Sequence, residues 1–195
     1  GRTFAVVNPA TGAEVARAAE GDAADIDVAV REAARAQTEW ARTPARKRGA
    51  LVHQCSAVLR EHAEELARLI ALETGKALRT ESRVEANVVA DVFEFFGGLG
   101  SELKGESVPF SPTVLSVTVR EPLGVVGAII PWNVPMLLMA LKIAPALVAG
   151  NTVVVKSAEE APLTVLRICE LLNRVLPSGC FNIVSGFGPE CGAPL

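Results

Sequence analysis

Two polar side chains with useful chemistry stand at the ends of apolar segments in the second half of the chain. Asn133 lies inside the stiff loop Pro131–Pro135, and Lys156 directly follows the β-branched run Thr152–Val155. An asparagine amide can donate a hydrogen bond to an oxygen that gains negative charge during a reaction. A lysine ammonium can donate to a hydroxyl or a phosphate. The spacing alone is equally compatible with Asn133 as a helix cap and Lys156 as a solvated residue at a strand end.

The segments around these residues predict a strand, loop, helix and strand in succession. Val125–Ile130 is a short apolar run without polar alternation, typical of a strand buried on both faces of a parallel sheet. The prolines that follow cannot continue a strand, and a helix is predicted over Pro135–Ala149 with a kink at Pro145. Ligands of open α/β sheets bind at the carboxyl ends of the strands. Both polar side chains are therefore predicted at that edge.

The chain after the second strand continues this alternation. Ser157 is predicted to cap a helix with Glu159 and Glu160 in its first turn, where carboxylates interact favourably with the helix dipole. A carboxylate at a strand end is also the group that pairs with a ribose diol, which gives Glu159 a functional interpretation. Phe181–Val184 is predicted to be the third strand. The glycine motif at 186–192 is similar to a dinucleotide fingerprint, but its last spacing is one residue too long and it follows the third strand.

The first half of the chain is predicted to be mainly helical. It opens with a hairpin formed by Phe4–Val7 and a return strand near Val15. Amphipathic helices follow, the first capped by Asp25, with predicted ranges of 25–40, 45–74 and 78–96. The segment from Ser107 to Glu121 changes to a strand pattern. Its alternation of apolar and polar residues at 115–120 predicts an edge strand with one covered face.

Composition restricts the class of protein. The 195 residues are 50% hydrophobic and 21% charged, with 19 basic and 22 acidic residues and a formal net charge of −3. These values are typical of a folded soluble chain without a basic stripe for nucleic acid. The one dense basic cluster, 42–48, is predicted to be the solvated start of a helix. The apolar run 125–150 is interrupted by three prolines, Asn133 and Lys142, so no membrane span is predicted.

The cysteines and histidines are not spaced as metal ligands. The four cysteines include no C-x-x-C pair. His53 and His62 are nine residues apart on one predicted helix and do not lie side by side. No metal site is therefore predicted. The isolated cysteines indicate a reducing compartment, and we predict a cytoplasmic location.

Short motifs occur along nearly the whole chain in a specific order. The strongest are Pro131-Trp132-Asn133, the stretch Gly150–Lys156, and Glu159 three residues later. Further matches are Asn8–Gly12, Glu73–Lys76, Phe181–Val184 and Gly186–Pro189. Each fragment alone is weak, but their order and spacing are specific. Together they resemble the NAD(P)-dependent aldehyde dehydrogenase superfamily.

The resemblance implies an α/β fold of the aldehyde dehydrogenase type. Its expected parts are a Rossmann-type parallel sheet, incomplete in this chain, with amino-terminal helices and an oligomerisation strand. Residues 1–106 would form the hairpin and helices that pack on the cofactor domain. Residues 107–122 would be the oligomerisation strand, and residues 123–195 the first part of the dinucleotide-binding domain. A homo-oligomer, dimer or tetramer, is expected from the same resemblance.

The resemblance also implies roles for individual residues. Asn133 would help to stabilise the oxyanion formed from an aldehyde substrate, and Lys156 and Glu159 would bind the adenosine ribose hydroxyls of NAD, or of NADP. A glycine pair matching Gly188 and Gly192 is the form that the family's cofactor motif takes, which accounts for the altered spacing. The complete set of implied cofactor-binding residues is Ile130, Trp132, Lys156, Glu159, Gly188 and Gly192.

Other residues of the family's chemistry have no counterpart here. These are the general-base glutamate, the catalytic cysteine and the later cofactor motifs, and neither Cys180 nor Cys191 lies in a matching cysteine loop. With Gly1 in the position of an initiator methionine, this predicts the amino-terminal part of an enzyme that oxidises an aldehyde through a cysteine thiohemiacetal and thioester. The chain alone is expected to be inactive and to self-associate through an unpaired sheet edge. A non-catalytic binding or assembly module of the same fold and a membrane-associated protein are the alternatives.

Overall fold

The computed structural model describes residues 1–195 and contains seven strands and six α-helices. The strands are β1 (Thr3–Val7), β2 (Glu14–Ala19), β3 (Ser107–Ser111), β4 (Val114–Val117), β5 (Val125–Ile129), β6 (Thr152–Lys156) and β7 (Phe181–Val184). The helices are α1 (Ala23–Arg42), α2 (Ala45–Glu61), α3 (Ala63–Thr74), α4 (Arg83–Gly98), α5 (Pro135–Val148) and α6 (Leu163–Leu172). Short helical turns occur at Leu78–Ser82, Leu99–Ser101 and Gly188–Gly192.

The three parallel strands β5, β6 and β7 form one sheet in that order. Every residue of β6 is buried, and because successive side chains of a strand point to opposite faces, both faces of the sheet are covered at its centre. Helix α1 packs on all three strands, while α5 and α6 form the crossover connections between them. This arrangement confirms the predicted α/β class with a Rossmann-type parallel sheet.

The prediction that Val125–Ile130 is buried on both faces is wrong for most of its length. Strand β5 pairs with β6 alone, and its residues are largely part-buried or exposed. Ile129 is 54% exposed. An apolar run identifies a strand but does not state how many neighbours that strand has.

The amino-terminal helices lie where they were predicted, but their boundaries differ. The helix predicted for 45–74 is broken at His62, whose φ of −101° and ψ of 10° separate α2 from α3. The helix predicted from residue 78 begins with a π turn, and α4 extends through Gly98. The cap of α1 is Asp22 and not Asp25, because the Asp22 carboxylate accepts from the N–H of Ala24 and of Asp25. Asp25 completes a capping box by accepting from Asp22 N.

Two antiparallel hairpins complete the secondary structure. Strands β1 and β2 pair as predicted. Strands β3 and β4 form a second hairpin, whereas a single edge strand extending towards Glu121 was predicted. One face of this segment was predicted to be covered, but no other part of the chain covers it. The hairpin is almost wholly exposed, and Leu115 is 83% exposed. No helix of the structure combines the length and apolar composition that a membrane span requires.

One buried core joins the amino-terminal helices to the parallel sheet. It includes side chains from all six helices and from β5, β6 and β7, but none from the β3–β4 hairpin. Helices α2 and α4 approach especially closely at glycines: a Cβ at Gly49 would lie 2.5 Å from Gly97 O, and a Cβ at Gly97 would lie 2.6 Å from His53 N. The division into 1–106, 107–122 and 123–195 stays a prediction.

Candidate functional site

The carboxyl ends of the three parallel strands bring much of the predicted site together. Ile129 of β5 is paired with Lys156 of β6, which is paired with Val184 of β7. One residue further, Ile130 N donates to Lys156 O at 3.0 Å and Ser157 N donates to Val184 O at 3.1 Å. Ile130 and Lys156, both predicted to bind a ligand, are therefore neighbours at this edge.

The loop after β5 presents Trp132 and Asn133, both of which are exposed. Val134, and not Asn133, is the residue at the cap position of α5, and no side-chain hydrogen bond is made from that position. The interpretation of Asn133 as a helix cap is therefore wrong. Its amide stands between the end of a strand and the start of a helix and is open to a ligand.

The cap of α5 comes from a distant helix. Glu85 Oε1, on α4, accepts from the backbone N–H of Met136 at 3.1 Å and of Leu137 at 3.3 Å. Its other carboxylate oxygen pairs with Lys76 Nζ. The negative charge of Glu85 lies at the positive end of the helix dipole. Glu85 was not among the residues predicted from the sequence. Glutamate is rarely buried unless it is paired, so its position beside the buried stripe of α4 was a signal that could have identified it.

Lys156 is buried at the end of the central strand. Only 4% of its side chain is exposed, and Nζ donates to Glu159 Oε2 at 2.7 Å, so its interpretation as a solvated residue is wrong. Burial acts to raise the pKa of Glu159, but hydrogen bonds from Lys156 and the backbone, with the lysine charge, outweigh it and hold that pKa below its ordinary value. The Glu159 side chain is 32% exposed, so an ionised carboxylate is available to a ligand.

The connection from β6 to α6 is longer than predicted. Helix α6 begins at Leu163, so Ser157 does not cap it, and Glu159 and Glu160 do not lie in its first turn. Ser157 is buried, and its Oγ has no hydrogen-bond partner. Ser157, Glu159 and Glu160 are residue types typical of a helix start, but α6 begins only at Leu163.

Glu73, on α3, provides the cap of α6. Its carboxylate accepts from the backbone N–H of Leu163 at 2.7 Å and of Thr164 at 3.0 Å, and also from the Thr164 hydroxyl. Burial raises the pKa of Glu73, while these hydrogen bonds act in the opposite direction. The family resemblance included Glu73 but gave it no role.

The glycine-rich segment after β7 forms a π turn at Gly188–Gly192. Gly186 has a φ of 152°, and a Cβ there would lie 2.4 Å from Cys191 Sγ, so only glycine fits. A Cβ at Gly188 would meet nothing within 4 Å, and a Cβ at Gly192 would meet only Ile129 Cδ1 at 3.9 Å. The backbone of the turn therefore borders open space near β5, which leaves room for a ligand group.

A cavity of about 700 Å³ lies on the same side of the molecule, and this volume is in the range of ligand sites. Trp132 and Glu159 line it together with Glu73, Phe187 and residues of β1. Two of the predicted site residues, Trp132 and Glu159, therefore line the same cavity. The predicted residues outside this lining are Ile130, Asn133, Lys156, Gly188 and Gly192.

None of the four cysteines is suited to act as a nucleophile. All are buried and unpaired, and burial raises the pKa of Cys55 and Cys169 to about 12 and that of Cys180 to about 11. Burial also raises the pKa of Cys191, against the opposing charge of Lys156. These thiols are protonated at neutral pH and lack the thiolate that nucleophilic catalysis requires.

No group of three or more His, Cys, Asp or Glu side chains is arranged to hold a metal ion.

A parallel sheet with polar groups at its carboxyl edge places the protein in the α/β class whose ligands bind beyond the strand ends. Residues 1–195 match the model of the aldehyde dehydrogenase family. The chain belongs to that family, which confirms the resemblance found in the sequence and the aldehyde dehydrogenase type of its fold.

Known proteins share both sequence and fold with the chain. It is 43% identical over 189 residues to an aldehyde dehydrogenase of Didymella fabae, covering 97% of this chain and 38% of that protein. It is 42% identical over 200 residues to retinaldehyde dehydrogenase 3 of Rattus norvegicus, with 100% and 39% covered. The solved NAD⁺ complex of an aldehyde dehydrogenase from Bacillus cereus has a TM-score of 0.96 at 37% identity, covering 100% of this chain and 40% of that one. The chain thus spans about two fifths of the length of these relatives.

Proposed function

We propose that this chain supplies the cofactor-binding edge and the oxyanion donor of an NAD-dependent aldehyde dehydrogenase, which oxidises an aldehyde to a carboxylic acid. The observation that carries the proposal is the Lys156–Glu159 pair at the carboxyl end of the central strand. An ammonium donor beside an accessible carboxylate acceptor suits the hydroxyls of a ribose. The Bacillus cereus relative was solved as an NAD⁺ complex, in agreement with this assignment.

The residues at this edge fit a dinucleotide. Glu159 offers an ionised carboxylate, the turn at Gly188 and Gly192 borders open space, and Ser157 Oγ is a polar atom without a partner. The residues that would hold the cofactor are Ile130, Trp132, Lys156, Glu159, Gly188 and Gly192. The chemistry that NAD would supply there is a hydride acceptor for oxidation of the substrate carbon.

Asn133 acts on the substrate in this proposal. Its amide donates to the carbonyl oxygen of the aldehyde as that oxygen becomes negative during attack by a thiolate. Pro131 and Pro135 limit the conformations of the loop, which keeps the amide oriented before the reaction begins. The expected intermediates of the reaction are a thiohemiacetal and then a thioester, and the expected product is the free acid.

The attacking thiolate comes from outside residues 1–195 in this proposal. The cysteines of this chain are buried, and burial raises the pKa of each thiol. The 195-residue chain alone is therefore expected not to oxidise aldehydes.

Four buried, unpaired thiols also suit a reducing compartment, and we propose that the enzyme is cytoplasmic.

The enzyme is expected to prefer NAD to NADP, because the Glu159 carboxylate accepts hydrogen bonds from a ribose diol but repels a 2′-phosphate. Glu159→Gln removes that repulsion. Charges about 4 Å apart near a protein surface interact by about 4 kcal/mol, so the substitution is expected to shift the ratio of kcat/KM values at least about tenfold towards NADP. Cofactor Kd values from fluorescence titration without aldehyde are expected to shift in the same direction.

Glu61→Gln is the control, because it removes an exposed carboxylate that does not line the cavity. This variant is expected to keep the cofactor preference of the parent enzyme. A parent enzyme with a higher kcat/KM for NADP than for NAD would contradict the assigned role of Glu159.

We also propose that the β3–β4 hairpin carries association into a homo-oligomer. Its exposed apolar side chains form a patch typical of an interaction surface, and they include Val108, Phe110, Val114, Leu115 and Val117. Leu115→Lys is expected to dissociate the oligomer in analytical ultracentrifugation, whereas Leu72→Lys, at an exposed position of α3, is expected to leave it intact. A protein that associates through this hairpin but never reduces NAD with any aldehyde would instead be a non-catalytic assembly module.

A further inference from the structure

The first backbone N–H groups of α5 are satisfied by a buried side chain from another helix. Glu85 Oε1 accepts from Met136 at 3.1 Å and from Leu137 at 3.3 Å. The Glu85 side chain is only 5% exposed and is itself held by an ion pair with Lys76. The start of α5 is therefore fixed by a carboxylate whose own position is fixed.

Asn133 lies in the short loop between this anchor and the sheet. On one side of the loop, Ile130 N donates to Lys156 O at 3.0 Å. On the other side, the Met136 N–H is held by Glu85. Only residues 131–135 lie between the two anchors, and prolines with restricted φ stand at both ends of that loop. A loop this short and stiff transmits a movement of either anchor to Asn133.

We infer that Glu85 is a positioning residue for Asn133: by capping α5, it sets the place of the Asn133 amide without contacting the substrate. This inference rests on the proposed oxyanion role of Asn133. Without the carboxylate, two N–H groups of α5 lose their acceptor and Lys76 loses its counter-ion, so the first turn of the helix shifts. A displacement of about 1 Å at a reacting group can cost about 10²-fold in rate.

Glu73 offers a comparison because it caps α6 as Glu85 caps α5, but Glu73 also lines the candidate cavity and Glu85 does not. The Glu73 carboxylate is buried, comes from a neighbouring helix, and accepts from the N–H groups of Leu163 and Thr164. The loop before α6 carries the predicted ribose ligand Glu159, whereas the loop before α5 carries Asn133. The same chemical change at the two caps is therefore expected to alter different kinetic parameters.

The experiment compares Glu85→Ala with Glu73→Ala in an active enzyme that contains residues 1–195. Glu85→Ala is expected to lower kcat about tenfold or more with an unchanged Kd for NAD, because the oxyanion donor acts mainly in the transition state. Glu73→Ala is expected to raise the Kd for NAD, measured by fluorescence titration without aldehyde, and to spare kcat at saturating NAD. Melting temperatures are recorded for both, since each loses a helix cap.

A double variant separates positioning from general damage to the core. Glu85→Gln combined with Lys76→Met keeps an oxygen that can accept from both N–H groups of α5, and it removes a part-buried cation that would otherwise lose its partner. Its kcat is expected to recover to within a few-fold of the parent value. Where Glu85→Ala does not fold, Glu85→Met combined with Lys76→Met, compared with the double variant, supplies the same contrast, because methionine fills the site with only a weak acceptor for the two N–H groups.

The outcomes separate this inference from the proposed function. An active parent enzyme whose two alanine variants lose kcat equally, or whose double variant shows no recovery, overturns the role of Glu85 and leaves the function intact. A parent enzyme without aldehyde-dependent NAD reduction, or one in which Asn133→Ala keeps full kcat, removes the function on which the inference rests.

Discussion

Replacing Asn133 with alanine is expected to lower kcat by about 10²-fold or more, the usual cost of removing one oxyanion donor. The Kd for NAD is expected to stay the same, because in the proposed role this amide acts only as charge develops on the substrate oxygen. The melting temperature is expected to change little, since Asn133 is exposed and does not cap α5. Steady-state kinetics and thermal unfolding of one variant measure both effects.

Asn151→Ala is the control for this experiment, because the Asn151 amide is structural. Its Oδ1 accepts from Gly124 N at 3.0 Å, and its Nδ2 donates to Ala146 O at 3.1 Å. Leaving such groups without partners costs about 1–3 kcal/mol of stability, so Asn151→Ala is expected to unfold at a lower temperature and to retain kcat. An Asn133→Ala variant that behaved like this control would refute the oxyanion role.

Two adjacent glycines on α4 are expected to respond to alanine with opposite signs. Gly97→Ala is expected to lower the free energy of unfolding by about 1–3 kcal/mol, the usual cost of overpacking. A Cβ at Gly97 would lie 2.6 Å from N and 2.7 Å from Cα of His53, so the backbone of α2 would have to move. Gly98→Ala is expected to raise the free energy of unfolding by about 0.4–1 kcal/mol. A Cβ at Gly98 meets nothing within 4 Å, and its φ is −63°.

Urea unfolding of both variants measures this difference. The two substitutions make the same change in composition and in helix propensity, so the comparison isolates the contact between α2 and α4. Destabilisation of equal size in both variants would show that the close approach of these helices does not limit the fold.

The region around Asn133 was predictable because its signals are local. The β-branched runs mark the strands, the prolines end the first strand and open α5, and parallel strands must meet at one carboxyl edge. These rules are sufficient to place Asn133 and Lys156 at the same end of the sheet. They could not decide that Lys156 is buried, since its burial depends on how the surrounding elements pack.

The parts that escaped prediction depend on residues far apart in the chain. Glu85 and Glu73 accept hydrogen bonds from backbone N–H groups 51 and 90 residues later, and no periodic pattern encodes such pairs. Apolar composition likewise identified β5 as a strand but did not show that it has only one neighbour. No sequence signal near His62 indicates a helix end, because the helical pattern of apolar residues continues across it.

The two buried caps also affect the order in which the fold can be assembled. Proteins are synthesised from the amino terminus. Glu73 and Glu85 therefore leave the ribosome before the helices whose N–H groups they accept from. Residues 123–195 produced without them would begin α5 and α6 with orphan backbone donors. The amino-terminal helices thus supply hydrogen-bond acceptors that the first turns of α5 and α6 require.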